Sequence, residues 1–258
     1  MTASSNSGWI AIAGLGPGPA QWITPEVSAT LDQATDLVGY APYVARVPAR
    51  DGVVRHGSDN REEIDRAAHA LKLAAEGRRV VVVSSGDPGV FAMAAAVFEA
   101  VEHGDPNWRD LDIRVLPGIS AMFATAARIG APLGHDFCAI NLSDNLKPWE
   151  LVEHRLRLAA QAGFVIALYN PLSKARPWQL GRALALLRTE LPGTAPVVFA
   201  TAVGDAREAI DIVSLREAEP SRADMRTLVL IGSAQTRVLA RDNGAPFVYT
   251  PRSVGAGA

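Results

Sequence analysis

The chain has 258 residues, 48% hydrophobic and 20% charged, with a formal net charge of -2. That length buries a sizeable core, as one large domain or two smaller ones. The near-neutral charge provides no field to draw in nucleic acid or an anionic membrane. A single cysteine, Cys138, excludes an internal disulfide and a multi-cysteine metal cluster. No metal is therefore expected, and the compartment is expected to be reducing. Residues 1–25 contain neither a basic stretch nor an apolar run of about 18 residues, so no signal peptide or membrane span is predicted. Cytoplasmic localisation is the expectation.

Short apolar runs predict strands at Trp9–Ala13, Asp36–Val38, Arg79–Ser84, Ile113–Leu116, Phe137–Leu142, Phe164–Tyr169, Pro196–Thr201 and Thr227–Ile231. Several are continuous Val/Ile runs, as expected for strands covered on both faces. Helical patterns lie between them at Glu26–Ala34, Glu62–Glu76, Ala92–His103, Ala121–Ile129, Glu150–Ala160 and Trp178–Leu191. Thr24 suits the cap of the first helix, Pro25 its first position, and Glu26 the positive end of its dipole. This alternation predicts an α/β fold with largely parallel sheets. The stretch Gly130-Ala131-Pro132-Leu133-Gly134 favours two α/β domains, 8–129 and 137–240, joined at 130–136. Residues 1–7 and 253–258 read as tails.

Four strand-to-helix turns carry the candidate chemistry. Gly14-Leu15-Gly16-Pro17-Gly18 follows the first strand, where glycines let a ligand approach the backbone. A dinucleotide pattern needs glycine at 19, where Pro19 stands, and no acid ends the second strand, which reads Val38-Gly39-Tyr40. Pro17 and Pro19 also lack the N–H that a phosphate cradle uses, so a ligand without phosphate, or a plain tight turn, fits better. Ser84-Ser85-Gly86-Asp87-Pro88-Gly89-Val90 ends the most apolar strand, at the edge where open α/β sheets bind ligands. Asp87 suits a ligand amino group or a helix cap. Pro117-Gly118-Ile119-Ser120-Ala121 offers Ser120 as a cap, and Tyr169-Asn170-Pro171 reads as a turn.

In this order and at these spacings, with Leu228–Gly232, the motifs resemble the tetrapyrrole (corrin/porphyrin) methylases, from about Trp9 to Arg237. Val38–Tyr43, Asn141–Trp149, Tyr169–Ser173 with Arg176, and Met225–Leu228 resemble the branch that methylates C17 of precorrin-3B and contracts its ring in cobalamin synthesis. The resemblance implies two α/β domains with a cofactor cleft between them, commonly a homodimer, and S-adenosylmethionine as methyl donor, leaving S-adenosylhomocysteine. Carried over by position, cofactor contacts fall on Pro17, Ser85, Gly86, Asp87, Val90, Ser120, Ala121, Tyr169, Asn170, Gly204, Thr227 and Leu228. The tetrapyrrole carries acetate and propionate arms, for which Lys174 and Arg176 are the candidate partners. Ring contraction calls for proton transfer at an oxygen, with His56 and His135 as candidates and an ordinary loop role as the alternative for each. The alternatives are a methylase of the same family with another regiochemistry, and a non-catalytic nucleotide-binding module.

Overall fold

A computed structural model describes residues 8–59, 62–173 and 176–253. The chain divides between Ser120 and Ala121 into two compact units. The first contains β1 (Trp9–Gly14), α1 (Pro25–Gln33), β2 (Asp36–Tyr40), the one-turn α2 (Ala41–Val44), β3 (Val54–Ser58), α3 (Glu63–Ala75), β4 (Arg79–Ser84), α4 (Met93–His103) and β5 (Asp112–Leu116). The second contains α5 (Ala121–Ile129), β6 (Gly130–Ala131), β7 (Phe137–Asn141), α6 (Trp149–Gln161), β8 (Val165–Tyr169), α7 (Gln179–Glu190), β9 (Pro196–Thr201), β10 (Ala209–Ser214), β11 (Thr227–Ile231), β12 (Arg237–Leu239) and β13 (Phe247–Tyr249).

The first sheet has the order β3-β2-β4-β1-β5 and is parallel throughout. Its central strands are buried on both faces, as their Val/Ile runs predict. Ile10, Ile12, Val80 and Val82 pack on Ala67, Ala70 and Leu71 of α3 and Val97 of α4. The alternate residues Ala11, Ala13, Val81 and Val83 pack on Val27 of α1 and on Val44. Thr24 caps α1 as expected, its Oγ1 accepting from the Val27 N–H at 3.2 Å, with Pro25 in the first turn.

The second sheet, β10-β9-β11-β8-β7, departs from the parallel expectation. Only β7 and β8 run parallel; β8–β11, β11–β9 and β9–β10 are antiparallel. No α-helix separates β9 from β10, and only a 3-10 turn at Pro220–Arg222 lies between β10 and β11; parallel neighbours need a crossover that antiparallel ones do not. A third sheet, β12-β13-β6, completes this unit. Among the described residues, no helix is long and apolar enough to cross a membrane.

The division also falls earlier than the expected 130–136. Met122 and Ile129 of α5 pack against Ala167, Val198, Leu228 and Leu230, so α5 covers one face of the second sheet while α6 and α7 cover the other. Gly130 is not a linker residue but part of β6, paired with Val248. Its φ of 127° and the Val248 carbonyl, which would lie 2.8 Å from an added Cβ, account for the glycine.

A polar network closes the edge of the first sheet. Asp36, 1% exposed, accepts from Arg78 Nε at 2.8 Å, from Thr35 Oγ1 at 2.7 Å and pairs with His56 Nε2 at 3.0 Å. His56 Nδ1 in turn meets His69 Nε2 at 3.1 Å. Burial works against the Asp36 charge, but hydrogen bonds from Arg78, His56 and Thr35 outweigh it and hold the carboxyl below its ordinary range. Burial, then His56, pushes the His69 imidazole down as well. Both groups therefore take up protons more readily in the unfolded chain, so acidification destabilises the fold. Loss begins below about pH 6.5 through His69 and continues below about pH 4 through Asp36. Asp36→Asn should remove the lower step and cost about 1–3 kcal/mol at neutral pH, as measured by urea unfolding across pH.

Candidate functional site

Three loops leave the carboxyl ends of neighbouring strands β4, β1 and β5, the edge of a parallel sheet where ligands bind. They meet backbone to backbone. A Cβ on Gly118 would lie 2.3 Å from the Gly86 carbonyl and 2.8 Å from Gly14 Cα. One on Gly14 would lie 2.7 Å from both the Gly118 nitrogen and the Gly86 carbonyl. The Gly16 N–H donates to the Gly86 carbonyl at 3.1 Å, and Leu15 N–H to the Ser84 carbonyl at 2.9 Å. Gly16 and Gly86 both have positive φ, 64° and 65°.

Two charged side chains fix this arrangement. Asp87 Oδ1 accepts from the Gly89 N–H at 2.8 Å, and Oδ2 from the Gly118 N–H at 3.1 Å, tying the β4 loop to the β5 loop. Arg46 was not singled out by its sequence. Its guanidinium donates to the carbonyls of Gly16 at 2.9 Å and of Leu15 and Gly18 at 3.0 Å. Nothing local marks such a residue, because its partners lie about thirty positions earlier. Pro17 is half-buried in this loop, Val90 closes a turn by donating to the Asp87 carbonyl, and Ser120 is buried at the end of the β5 loop. Tyr43 bonds to Ser85, and burial pushes its phenol up.

The second unit gathers the remaining expected positions. Because β11 runs antiparallel to β8 and β9, Thr227 at its start lies beside the ends of both. Thr227 Oγ1 is 2.7 Å from Thr201 Oγ1 and also bonds Asp224. Leu228 is core, in the cluster with Met122. The Tyr169 hydroxyl accepts from the Met122 N–H at 3.2 Å, in the first turn of α5, next to Ala121. Asn170 is left-handed at φ 51°, as is Ala202, and Asn170 Nδ2 donates to Asn141 Oδ1 at 3.0 Å. Gly204 has φ 82°, and its N–H donates to Glu208 at 2.6 Å. Strained backbone of this kind gathers where a scaffold over-determines a functional loop.

Other expected positions are engaged differently. Arg176 is not free to reach out: its guanidinium pairs with Asp144 at 2.6 Å and also bonds Asn145. Asp144 is held in addition by Gln179 at 2.9 Å. Lys174 lies outside the described residues. His56 belongs to the Asp36 network. His135 Nδ1 accepts from the Asp136 N–H at 2.7 Å, a local loop contact. Burial pushes the Cys138 thiol up to about 11, so it is protonated at neutral pH and a poor nucleophile.

The family model for Tetrapyrrole (Corrin/Porphyrin) Methylases matches residues 10–219. The chain belongs to the tetrapyrrole methylases. A precorrin-3B C(17)-methyltransferase from Sinorhizobium sp. is 56% identical over 246 residues, covering 95% of this chain and 97% of that one. The cobalamin biosynthesis protein CobIJ of Mycobacterium tuberculosis is 46% identical over 250 residues; the match spans 95% of this chain but 48% of CobIJ. Among solved structures, the methyltransferase CobJ superposes with a TM-score of 0.90 at 59% identity, over 95% of this chain and all of CobJ. In this tetrapyrrole methylase the glycine contact is tight enough to test directly. Gly118→Ala should cost about 1–3 kcal/mol by overpacking; thermal unfolding that matches the parent would contradict the contact.

Proposed function

We propose that this tetrapyrrole methylase transfers a methyl group from S-adenosylmethionine to C17 of precorrin-3B, with ring contraction to precorrin-4, in cobalamin biosynthesis. The observation that carries the reading is the 56% identity, over nearly the full length of both chains, to a precorrin-3B C(17)-methyltransferase. We further propose a homodimer, supported by the family resemblance, in a reducing, cytoplasmic compartment, in keeping with the single cysteine; light scattering on the purified chain tests the dimer.

The loops of the first unit fit such a cofactor. Pro17 and Pro19 have no N–H, and the Gly16 N–H is already bonded to Gly86, so the first loop has little to offer a phosphate. S-adenosylmethionine is a nucleoside zwitterion without phosphate and supplies an electrophilic sulfonium methyl group. Glycines at 14, 16, 86 and 118 open the backbone to close approach, while Arg46 and Asp87 hold the three loops in one shape. Pro17, Ser85, Gly86, Asp87, Val90 and Ser120 are the proposed contacts in this unit. Ala121, Tyr169, Asn170, Gly204, Thr227 and Leu228 are those of the second.

Methyl transfer from a sulfonium releases a neutral thioether, which needs no acid to leave. Catalysis therefore rests on orientation, which supplies up to about 7–11 kcal/mol in well-aligned systems. Rigid loops meet that requirement better than a titrating side chain does.

Incubation with precorrin-3B and methyl-labelled S-adenosylmethionine should place the label on C17 in a ring-contracted product, as read by mass spectrometry and NMR. Label at another carbon would move the chain to a sister activity. Gly86→Val places a β-branched residue at φ 65°, and should weaken S-adenosylhomocysteine at least tenfold in calorimetry. Arg46→Ala should do the same by freeing three carbonyls. Undiminished affinity in both, with folding intact by circular dichroism, would remove these loops from the cofactor site.

A further inference from the structure

Arg66, on α3, is 5% exposed, yet none of the described acids lies within ion-pair distance of it. Burial pushes its pKa down, and Glu63, Glu62, Tyr43 and Asp59 offset this only through space. Its Nε donates to Ser58 Oγ at 2.8 Å and an Nη to the Asp59 backbone carbonyl. The other Nη faces Met93 Sδ at 3.4 Å. A thioether is a weak acceptor, and a guanidinium has five N–H donors. A buried cation without an anion is costly, so the pairing is incomplete as it stands.

The guanidinium borders an open cavity of about 320 Å³, lined also by Val38, Ser58, His56 and His69. Ser58 is the last residue of β3, and Met93 begins α4, after the Ser85–Gly86–Asp87 loop. The cavity thus lies at the same end of the first sheet as the glycine loops. Tyr43, bonded to Ser85, is close enough to feel the Arg66 charge. Since Ser58 Oγ accepts from Arg66, its own O–H remains to donate. Glu62 and Asp65 share the wall but are exposed, where water screens them, whereas the guanidinium is not screened.

We propose that Arg66 and Ser58 form a carboxylate subsite that anchors an acetate or propionate arm of the tetrapyrrole substrate. The proposal rests on the tetrapyrrole reading above and names a residue for the role expected of Lys174 and Arg176. A carboxylate would replace the thioether as acceptor and complete the fork with a charge-assisted bond.

Three variants test it: Arg66→Gln, Arg66→Lys and Ser58→Ala. Each is titrated with uroporphyrin III, a stable polycarboxylate tetrapyrrole, and with S-adenosylhomocysteine; KM for precorrin-3B is measured alongside. Arg66→Gln should weaken uroporphyrin binding and raise KM by roughly ten- to a hundredfold, the worth of one charged hydrogen bond. Arg66→Lys, keeping charge without the fork, should fall between, and Ser58→Ala should lose severalfold. S-adenosylhomocysteine affinity should stay within about twofold on these per-bond figures. Unchanged porphyrin affinity in folded variants would overturn the subsite, as would equal loss of both ligands, which marks a structural role. Should Arg66→Gln not fold, Arg66→Lys and Ser58→Ala decide by the same criteria. A parent protein that binds uroporphyrin through Arg66 but leaves precorrin-3B unmethylated would sink the proposed reaction and leave the subsite standing.

Discussion

The contact among Gly14, Gly86 and Gly118 is the constraint on which the loop edge of the first unit depends. Parallel pairing brings the ends of β4, β1 and β5 side by side, but side chains would hold their loops apart. Without Cβ atoms the three backbones touch, and the polar groups exposed by that approach need partners. Arg46 satisfies carbonyls of the first loop, and Asp87 satisfies amides of the second and third. A cation on carbonyls and an anion on N–H groups are both charge-assisted and strong. What this edge presents is consequently its shape and the few backbone groups left over.

The second unit solves a different problem with a different sheet. Its antiparallel core brings the ends of β8 and β9 and the start of β11 to one edge, where Asn170 and Ala202 hold left-handed backbone. Each strained residue is anchored by the order around it: Asn170 by Asn141, Ala202 by the Arg226 carbonyl, to which its N–H donates at 3.2 Å. The Asp144–Arg176–Gln179 cluster fixes the chain following β8. The arginine expected to grip a ligand is thus paired within this loop.

Local patterns carried much of this architecture. Runs such as Val80–Val83 and Val165–Leu168 declare buried strands because both faces are apolar. The strand Val54–Ser58 escapes that reading, since an edge strand with Arg55, His56 and Gly57 has no apolar run. Ala209–Ser214 has the period of two but sits in a charged stretch without an α-helix after it, so the parallel expectation did not include it. Gly130 looked like punctuation between domains because a glycine forced by close strand approach and a glycine in a linker are spelled alike. The glycine and Asp87 motifs were legible because loop geometry demands those residue types. Arg46 and Arg66 were not, because their roles arise from partners brought near only by folding.

Arginine shows why net charge says little about what such a protein binds. Arg78 is spent on Asp36, Arg128 on Glu208, Arg176 on Asp144, and Arg46 on backbone carbonyls. The planar fork makes arginine a strut for buried acids and loop carbonyls as readily as a grip for a substrate. In a chain of formal charge -2, attraction of a polyanion rests on local groups, and a guanidinium that is both sheltered and short of an acid is one such group. What distinguishes a binding cation from a structural one is the mismatch between its burial and its pairing, and position in the sequence carries no trace of that mismatch. Among the arginines considered, Arg66 has it: the others trade their desolvation for a carboxylate or several carbonyls, whereas Arg66 directs an N–H at a sulfur.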